Sequence, residues 1–276
     1  MASDDSGREA LPTEQMRPLV LRRPPASLPL LDQRYQLMSV LGTGGMAHVY
    51  IARDLRLDRL CAVKVLRPEI AADSEQVERF KREALMLAMV DSPYVITVQD
   101  IVIAPAATFL VMRYVAGRTI AQELTARTRL EPRRAVAIAL RVLHGLSDLH
   151  ACEILHRDVK PTNVWLGDDE SVLLIDLGAA LDRRRDVLTR PGFVIGTPEL
   201  MSPEQRSGAA LDERVDLFQA GLLFAQMLTG MPRPDALALA AVPGELGAIV
   251  KHAMAPLAER YRSADDMTRA LVHATY

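Results

Sequence analysis

The sequence predicts an α+β chain of two lobes, an antiparallel sheet with one helix first and mainly helices after it. Three observations predict it. Short apolar stretches of strand character crowd the interval from Tyr35 to Met112, one amphipathic helical period interrupts them after Asp73, and beyond Gly117 the apolar residues recur at helical spacing over long segments. A chain of 276 residues suits either one large unit or two closely joined lobes.

Taken in order, residues 1–34 carry Pro12, Pro18, Pro24, Pro25 and Pro29 among Ser and charged residues with no period, and read as a flexible extension. Strands are expected over Tyr35 to Leu41, His48 to Ala52 and Leu60 to Leu66, joined by turns. Asp73 is a cap candidate with Gln76 reaching back, and Val77, Phe80, Ala84 and Leu87 then mark one face of a helix from Ser74 to about Val90. Glu83 points with that apolar stripe, so it needs a cationic partner. Val98 to Ile103 and Thr108 to Met112 complete the strands, which puts a first lobe at about 35–112, a connecting hinge at about 113–117 and a second lobe at about 118–276. In that second lobe Pro132 fits a helix start, and Ala135, Ile138, Ala139, Val142, Leu143, Leu146 and Leu149 form its buried face.

Composition narrows the function classes. Hydrophobic residues at 49% and charged residues at 25% are those of a chain that builds a core. A net charge of −2 and only 4% aromatics argue against a nucleic-acid surface. Cys61 and Cys152 are too few for a disulfide framework or zinc site, which suits a reducing compartment. Neither a membrane span nor a signal peptide is expected, so the localisation expected is cytoplasmic.

Chemistry concentrates in four places. Leu41-Gly42-Thr43-Gly44-Gly45-Met46-Ala47-His48-Val49 lies between two expected strands, where glycines let backbone amides approach phosphates; alone it is equally a plain hairpin turn. Lys64 interrupts an apolar strand on the face of Ala62 and Leu66, and a half-buried ammonium needs an anion such as Glu83. His156-Arg157-Asp158-Val159-Lys160-Pro161-Thr162-Asn163 puts a carboxylate, an ammonium and an amide in one short loop, the parts that phosphoryl transfer requires. Asp176-Leu177-Gly178 then offers a second carboxylate at the end of the apolar run Val172 to Ile175.

With these motifs in order, the chain from about Tyr35 onward resembles the catalytic domain of the bacterial Hanks-type (eukaryotic-like) serine/threonine protein kinases. The resemblance implies a two-lobed protein-kinase-like fold that transfers the γ-phosphoryl group of ATP to Ser/Thr hydroxyls of protein substrates, with autophosphorylation. It implies that Gly42 and Gly44 cover the phosphates and that Leu41, Val49, Ala62, the gatekeeper Met112, Val115 of the hinge and Trp165 line the nucleotide site. Lys64 would grip the α- and β-phosphates while paired with Glu83, and Asn163 and Asp176 would hold Mg2+, or Mn2+ in its place. Asp158 would orient the acceptor hydroxyl and Lys160 neutralise the phosphoryl group. Asp216 would anchor the catalytic loop through its backbone, and Glu204 of Ser202-Pro203-Glu204 would pair with Arg260. No nucleic-acid partner is implied; a transient homodimer is, for autophosphorylation.

The chain departs from the family pattern at Ala47, where a third glycine is usual, at Leu177 for Phe, at Arg113 for a hinge Glu, and at Trp165, a bulky residue under the adenine position. The segment Met231 to Gly247 is shorter than the usual helix-G region, which bears on substrate choice. Arg183, Arg184 and Arg185 form a basic run, and Thr189 is the candidate activating phosphosite, with Arg157 as part of a cationic pocket. A nucleotide-binding pseudokinase or signalling scaffold is the alternative reading, and a small-molecule kinase is disfavoured by Ser202-Pro203-Glu204.

Overall fold

A computed structural model describes residues 28–104, 107–182, 200–242 and 244–275. The first lobe is a six-stranded sheet in the order β1-β2-β3-β4-β6-β5, built from β1 (Leu30–Leu31), β2 (Tyr35–Thr43), β3 (Ala47–Asp54), β4 (Arg59–Leu66), β5 (Val98–Ala104) and β6 (Ala107–Arg113), every pairing antiparallel. A short helix α1 (Pro68–Ala71) and the longer α2 (Ser74–Ala88) lie between β4 and β5. Phe80, Ala84, Met86 and Leu87 of α2 are buried together with the carboxylate of Glu83.

Three details differ from the sequence expectation. Leu30 and Leu31 pair with Gln36 and Tyr35, so the extension expected over residues 1–34 ends before this edge strand. Arg34 secures the fold-back, its guanidinium donating to both carboxylate oxygens of Asp54 at 2.9 and 2.7 Å and holding that carboxyl down to about 2. Asp73 caps α2 by accepting from the Glu75 amide at 2.9 Å rather than through a reciprocal box with Gln76, and the helix ends at Ala88, short of Val90.

After the hinge the chain forms β7 (Gly117–Thr119), α3 (Ile120–Arg127) and the twenty-residue α4 (Pro132–Ala151). Pro132 occupies the first turn of α4, where its missing N–H costs no hydrogen bond, and the apolar face read from the sequence is buried. Then come β8 (Ile154–Leu155), β9 (Val164–Gly167), β10 (Val172–Leu174) and β11 (Leu181–Asp182), followed by α5 (Pro203–Ser207), α6 (Arg214–Thr229), α7 (Ala236–Ala240), α8 (Leu246–Ala253) and α9 (Ala264–His273). Strands β10, β9 and β7 make a small antiparallel sheet, and β11 pairs with β8. α6 is buried nearly all round, as its apolar composition requires, with α4 and α8 packed on it. Between Met231 and Gly247 lie the five-residue helix α7 and the start of α8.

One apolar cluster runs from Ala62, Leu66 and Phe80 through Met112 and Trp165 to α4 and α6, so the two lobes share a core. Among the described residues no helix is long and apolar enough to cross a membrane.

Candidate active site

Lys64 comes from the middle of β4, flanked by β3 and β6, so the sheet fixes its backbone on both sides. Its Nζ lies 2.6 Å from Glu83 Oε1 on α2 and 3.2 Å from Asp176 Oδ1, just past β10. One ammonium thus joins sheet, helix and second lobe. Burial pushes the Glu83 carboxyl up to about 7 in spite of the ammonium beside it. Burial acts the same way on Asp176, but Lys64 and the Gly178 amide, 2.9 Å away, outweigh it and hold that carboxyl below the usual range.

The loop between β8 and β9 carries Asp158, Lys160 and Asn163. Lys160 Nζ lies 2.7 Å from Asp158 Oδ2, and Asn163 Nδ2 donates to the same oxygen at 3.0 Å and to the Asp158 carbonyl at 2.9 Å. The Ile175 amide donates to the Asn163 carbonyl at 3.1 Å, which ties this loop to the strand end bearing Asp176.

What holds the loop is the buried start of α6. Asp216 accepts from the amides of His156 at 2.9 Å and Arg157 at 2.7 Å and meets His150 Nε2 at 2.8 Å. These contacts keep its carboxyl below the usual range despite burial. Gln219 accepts from the Val159 amide at 2.9 Å and donates to the Arg157 carbonyl at 2.9 Å, where Gln205 Nε2 also donates at 2.9 Å. Arg157 has a φ of +63°, a conformation a non-glycine residue keeps only when its surroundings hold it there. Its guanidinium donates to the carbonyls of Ala179 and Ala180 at 2.6 and 3.0 Å. His150, Gln205 and Gln219 were missed in the sequence; the available signal, for Gln219 alone, was a polar residue three positions after Asp216 in a mostly apolar helix.

Leu41, Val49, Ala62, Met112, Val115 and Trp165 belong to the one cluster that spans both lobes, and Met112 stands opposite Ala62 in the sheet register. Above them β2 and β3 form the glycine-rich hairpin, with Gly42 opposite Val49 and the Gly44 amide donating to the Ala47 carbonyl at 2.9 Å. A Cβ at Gly42 or Gly45 would meet nothing within 4 Å, and one at Gly44 would only touch the Ala47 carbonyl at 3.4 Å. Neither packing nor a positive φ calls for these glycines, so what they keep clear is the space beside the hairpin. Trp165 is buried, with Nε1 only 2.9 Å from where a Gly117 Cβ would stand, so its indole lies against the hinge end.

Glu204 of α5 meets Arg260 at 2.6 Å with both side chains buried, as the sequence suggested. Arg183, Arg184, Arg185 and Thr189 lie outside the described residues.

The protein kinase domain family matches residues 35–237. The chain belongs to the protein kinase family. Its relatives put it in the bacterial Hanks-type branch. It is 40% identical over 207 residues to serine/threonine-protein kinase pkn3 of Myxococcus xanthus, covering 72% of this chain and 38% of that one. It is 35% identical over 268 residues to serine/threonine-protein kinase PknB of Mycolicibacterium smegmatis, covering 88% and 43%. Among solved structures it is similar to the PknI kinase domain of Mycobacterium tuberculosis, with a TM-score of 0.67 at 27% identity over 86% of this chain and 95% of that one. The chain thus spans less than half the length of these two curated relatives. Kinases of this family use ATP and a divalent metal.

Proposed function

We propose that this kinase domain transfers the γ-phosphoryl group of ATP to Ser or Thr hydroxyls of proteins, with residues 35–276 as the catalytic unit. The observation that carries the reading is Lys64 held between Glu83 and Asp176, which brings the ammonium of one lobe to the carboxylate of the other. An ammonium so placed neutralises the α- and β-phosphates of a nucleotide lying between the glycine hairpin and Trp165. Asp158, kept in one orientation by Lys160 and Asn163, receives the acceptor hydroxyl and takes its proton as the phosphoryl group moves. Lys160 then offsets charge on the transferring group.

Asp176 and Asn163 supply a carboxylate and an amide oxygen, a hard donor set that fits Mg2+ with phosphate oxygens as remaining ligands. When bound, the metal neutralises phosphate charge and orients the γ-group. Mg2+ is the proposed ion and Mn2+ the substitute, compared by the rate of transfer with each.

Purified chain incubated with labelled ATP and Mg2+, with and without a generic basic protein, tests the reading. Label on protein should fall about 10²–10⁴-fold in Asp158→Asn, and Lys64→Met should also suppress it. Nucleotide binding without transfer in the wild type would instead favour the pseudokinase.

A further inference from the structure

A glutamine side chain carries one oxygen that accepts and two N–H groups that donate, and the start of α5 calls only for the oxygen. Ser202 caps this helix in a reciprocal box: its hydroxyl accepts from the backbone N–H of Gln205 at 3.3 Å, and its own backbone N–H donates to Gln205 Oε1 at 2.9 Å. A glutamate at this position closes the same box. The nitrogen of Gln205 is used elsewhere, donating out of the helix to the Arg157 carbonyl at 2.9 Å.

That carbonyl is met a second time. Gln219, buried in α6, donates through Nε2 to the Arg157 carbonyl at 2.9 Å and to Gln205 Oε1 at 3.2 Å, while its own oxygen accepts from the Val159 amide at 2.9 Å. Two side-chain amides and one carbonyl close a ring in which the Arg157 and Gln205 oxygens each take two donors. Turning either side chain over would face N–H with N–H and oxygen with oxygen, so the ring holds one orientation.

The two peptide planes that flank Asp158 set the direction in which its Cα–Cβ bond leaves the chain. The plane after it is held by Asn163 Nδ2 on the Asp158 carbonyl and by Gln219 on the Val159 amide. The plane before it is held at its oxygen by the two glutamines, with its amide 3.4 Å from His156 Nδ1. Asp216 acts one step earlier, on the amides of His156 and Arg157. Because Arg157 keeps its φ of +63° only while its contacts over-determine it, loss of the Gln205 donor lets the plane before Asp158 turn. We propose that Gln205 is a positioning residue for phosphoryl transfer: through the Arg157 carbonyl it sets the direction of the Asp158 carboxylate, so that the rate depends on where the start of α5 stands. This role rests on the kinase reading, with Asp158 as the group that takes the acceptor's proton.

The test is Gln205→Glu in the whole chain, which keeps an oxygen for the Ser202 amide and removes the donor to Arg157. With labelled ATP, Mg2+ and a generic basic protein, kcat should fall about 10- to 100-fold, while the KM for ATP and the affinity for a nonhydrolysable ATP analogue stay as in the wild type. The melting temperature should move by about 4 °C or less, the size of one lost hydrogen bond. Gln205→Met lacks the donor and brings no charge; it should lose kcat to a like extent, and it serves if the carboxylate disturbs folding. In an Asp158→Asn background Gln205→Glu should cost no further activity, because a residue that acts through one carboxylate then has nothing left to place. A fall of the same size in that background, or a change confined to KM, would overturn the positioning role. Absence of transfer by the wild type would defeat the kinase reading and this role together, whereas wild-type transfer left intact by both Gln205 variants would defeat this role alone.

Discussion

Lys64, Glu83 and Asp176 were each legible in the sequence as chemical types, because a lysine in an apolar strand and a glutamate in an apolar helical stripe both demand partners. Their mutual distances were not, since residues 64 and 176 meet only through the packing of the two lobes. The environment gives Glu83 a property no motif carries: burial lifts its carboxyl from an ordinary 4.5 to about 7. Two opposite pH trends follow. The native state binds a proton here that the unfolded chain has lost, so the contribution of Glu83 to stability falls as pH rises from about 4.5 to 7. Pairing with Lys64 needs the ionised form, so nucleotide affinity and transfer should rise over the same pH range. As pH falls through the raised value of this carboxyl the ionised fraction drops, and the rate profile should show an acidic limb there. Glu83→Gln, slower at every pH, should lose the limb; a limb retained at the same pH would assign it to another group.

At the scale of elements, periodicity exposed α2 and α4, each of which buries one apolar face, and the five main strands stood out as short apolar stretches between turns. What it missed are pieces whose order comes from tertiary partners. Strand β1 is held by pairing with β2 and by the Arg34–Asp54 bridge behind it. The loop carrying Asp158 depends on Gln219, which a reading by hydrophobic pattern discards. Gln219→Leu removes the partners of the Val159 amide and one donor to the Arg157 carbonyl, both buried. Its expected cost is about 1–3 kcal/mol, together with a lower kcat, read by thermal melting and by the transfer assay. The end of α3 supplies a second case. Thr128 has a φ of +65°, the Arg129 amide donates to the Arg127 carbonyl at 2.7 Å, and the turn packs on Gly230. A Cβ at Gly230 would stand 2.2 Å from the Thr128 carbonyl oxygen, and φ there is +74°. Gly230→Ala must therefore displace the turn, and should destabilise the fold by about 2 kcal/mol or more. Gly42→Ala, with open space for its methyl, should leave the melting temperature unchanged and weaken nucleotide binding instead.

For the molecule as a whole, the sequence conveyed the order of the motifs but not how distant segments are locked into one body. Arg260 does much of that locking in the second lobe. Its guanidinium meets Glu204 at 2.6 Å, the Arg214 carbonyl at 2.6 Å and the Ala255 carbonyl at 3.1 Å, and it lies 5.1 Å from the centre of the Phe218 ring. It thereby joins α5, the start of α6 and the turn after α8. Arg260→Met leaves a buried carboxylate without its cation and should cost about 3–5 kcal/mol. The paired change Glu204→Gln with Arg260→Met should recover part of that, since the uncompensated charge is gone while the lost carbonyl contacts are not. Burial would raise the Glu204 carboxyl, but Arg260 and nearby backbone hold it below its ordinary value near 4.5. Its stabilisation is therefore present above that value and is lost as pH falls through the folded one. Acid unfolding followed by circular dichroism should show a weaker pH dependence below about pH 4.5 in the paired variant than in the wild type. Identical acid transitions in the two proteins would mean that this buried ion pair does not couple protonation to the fold.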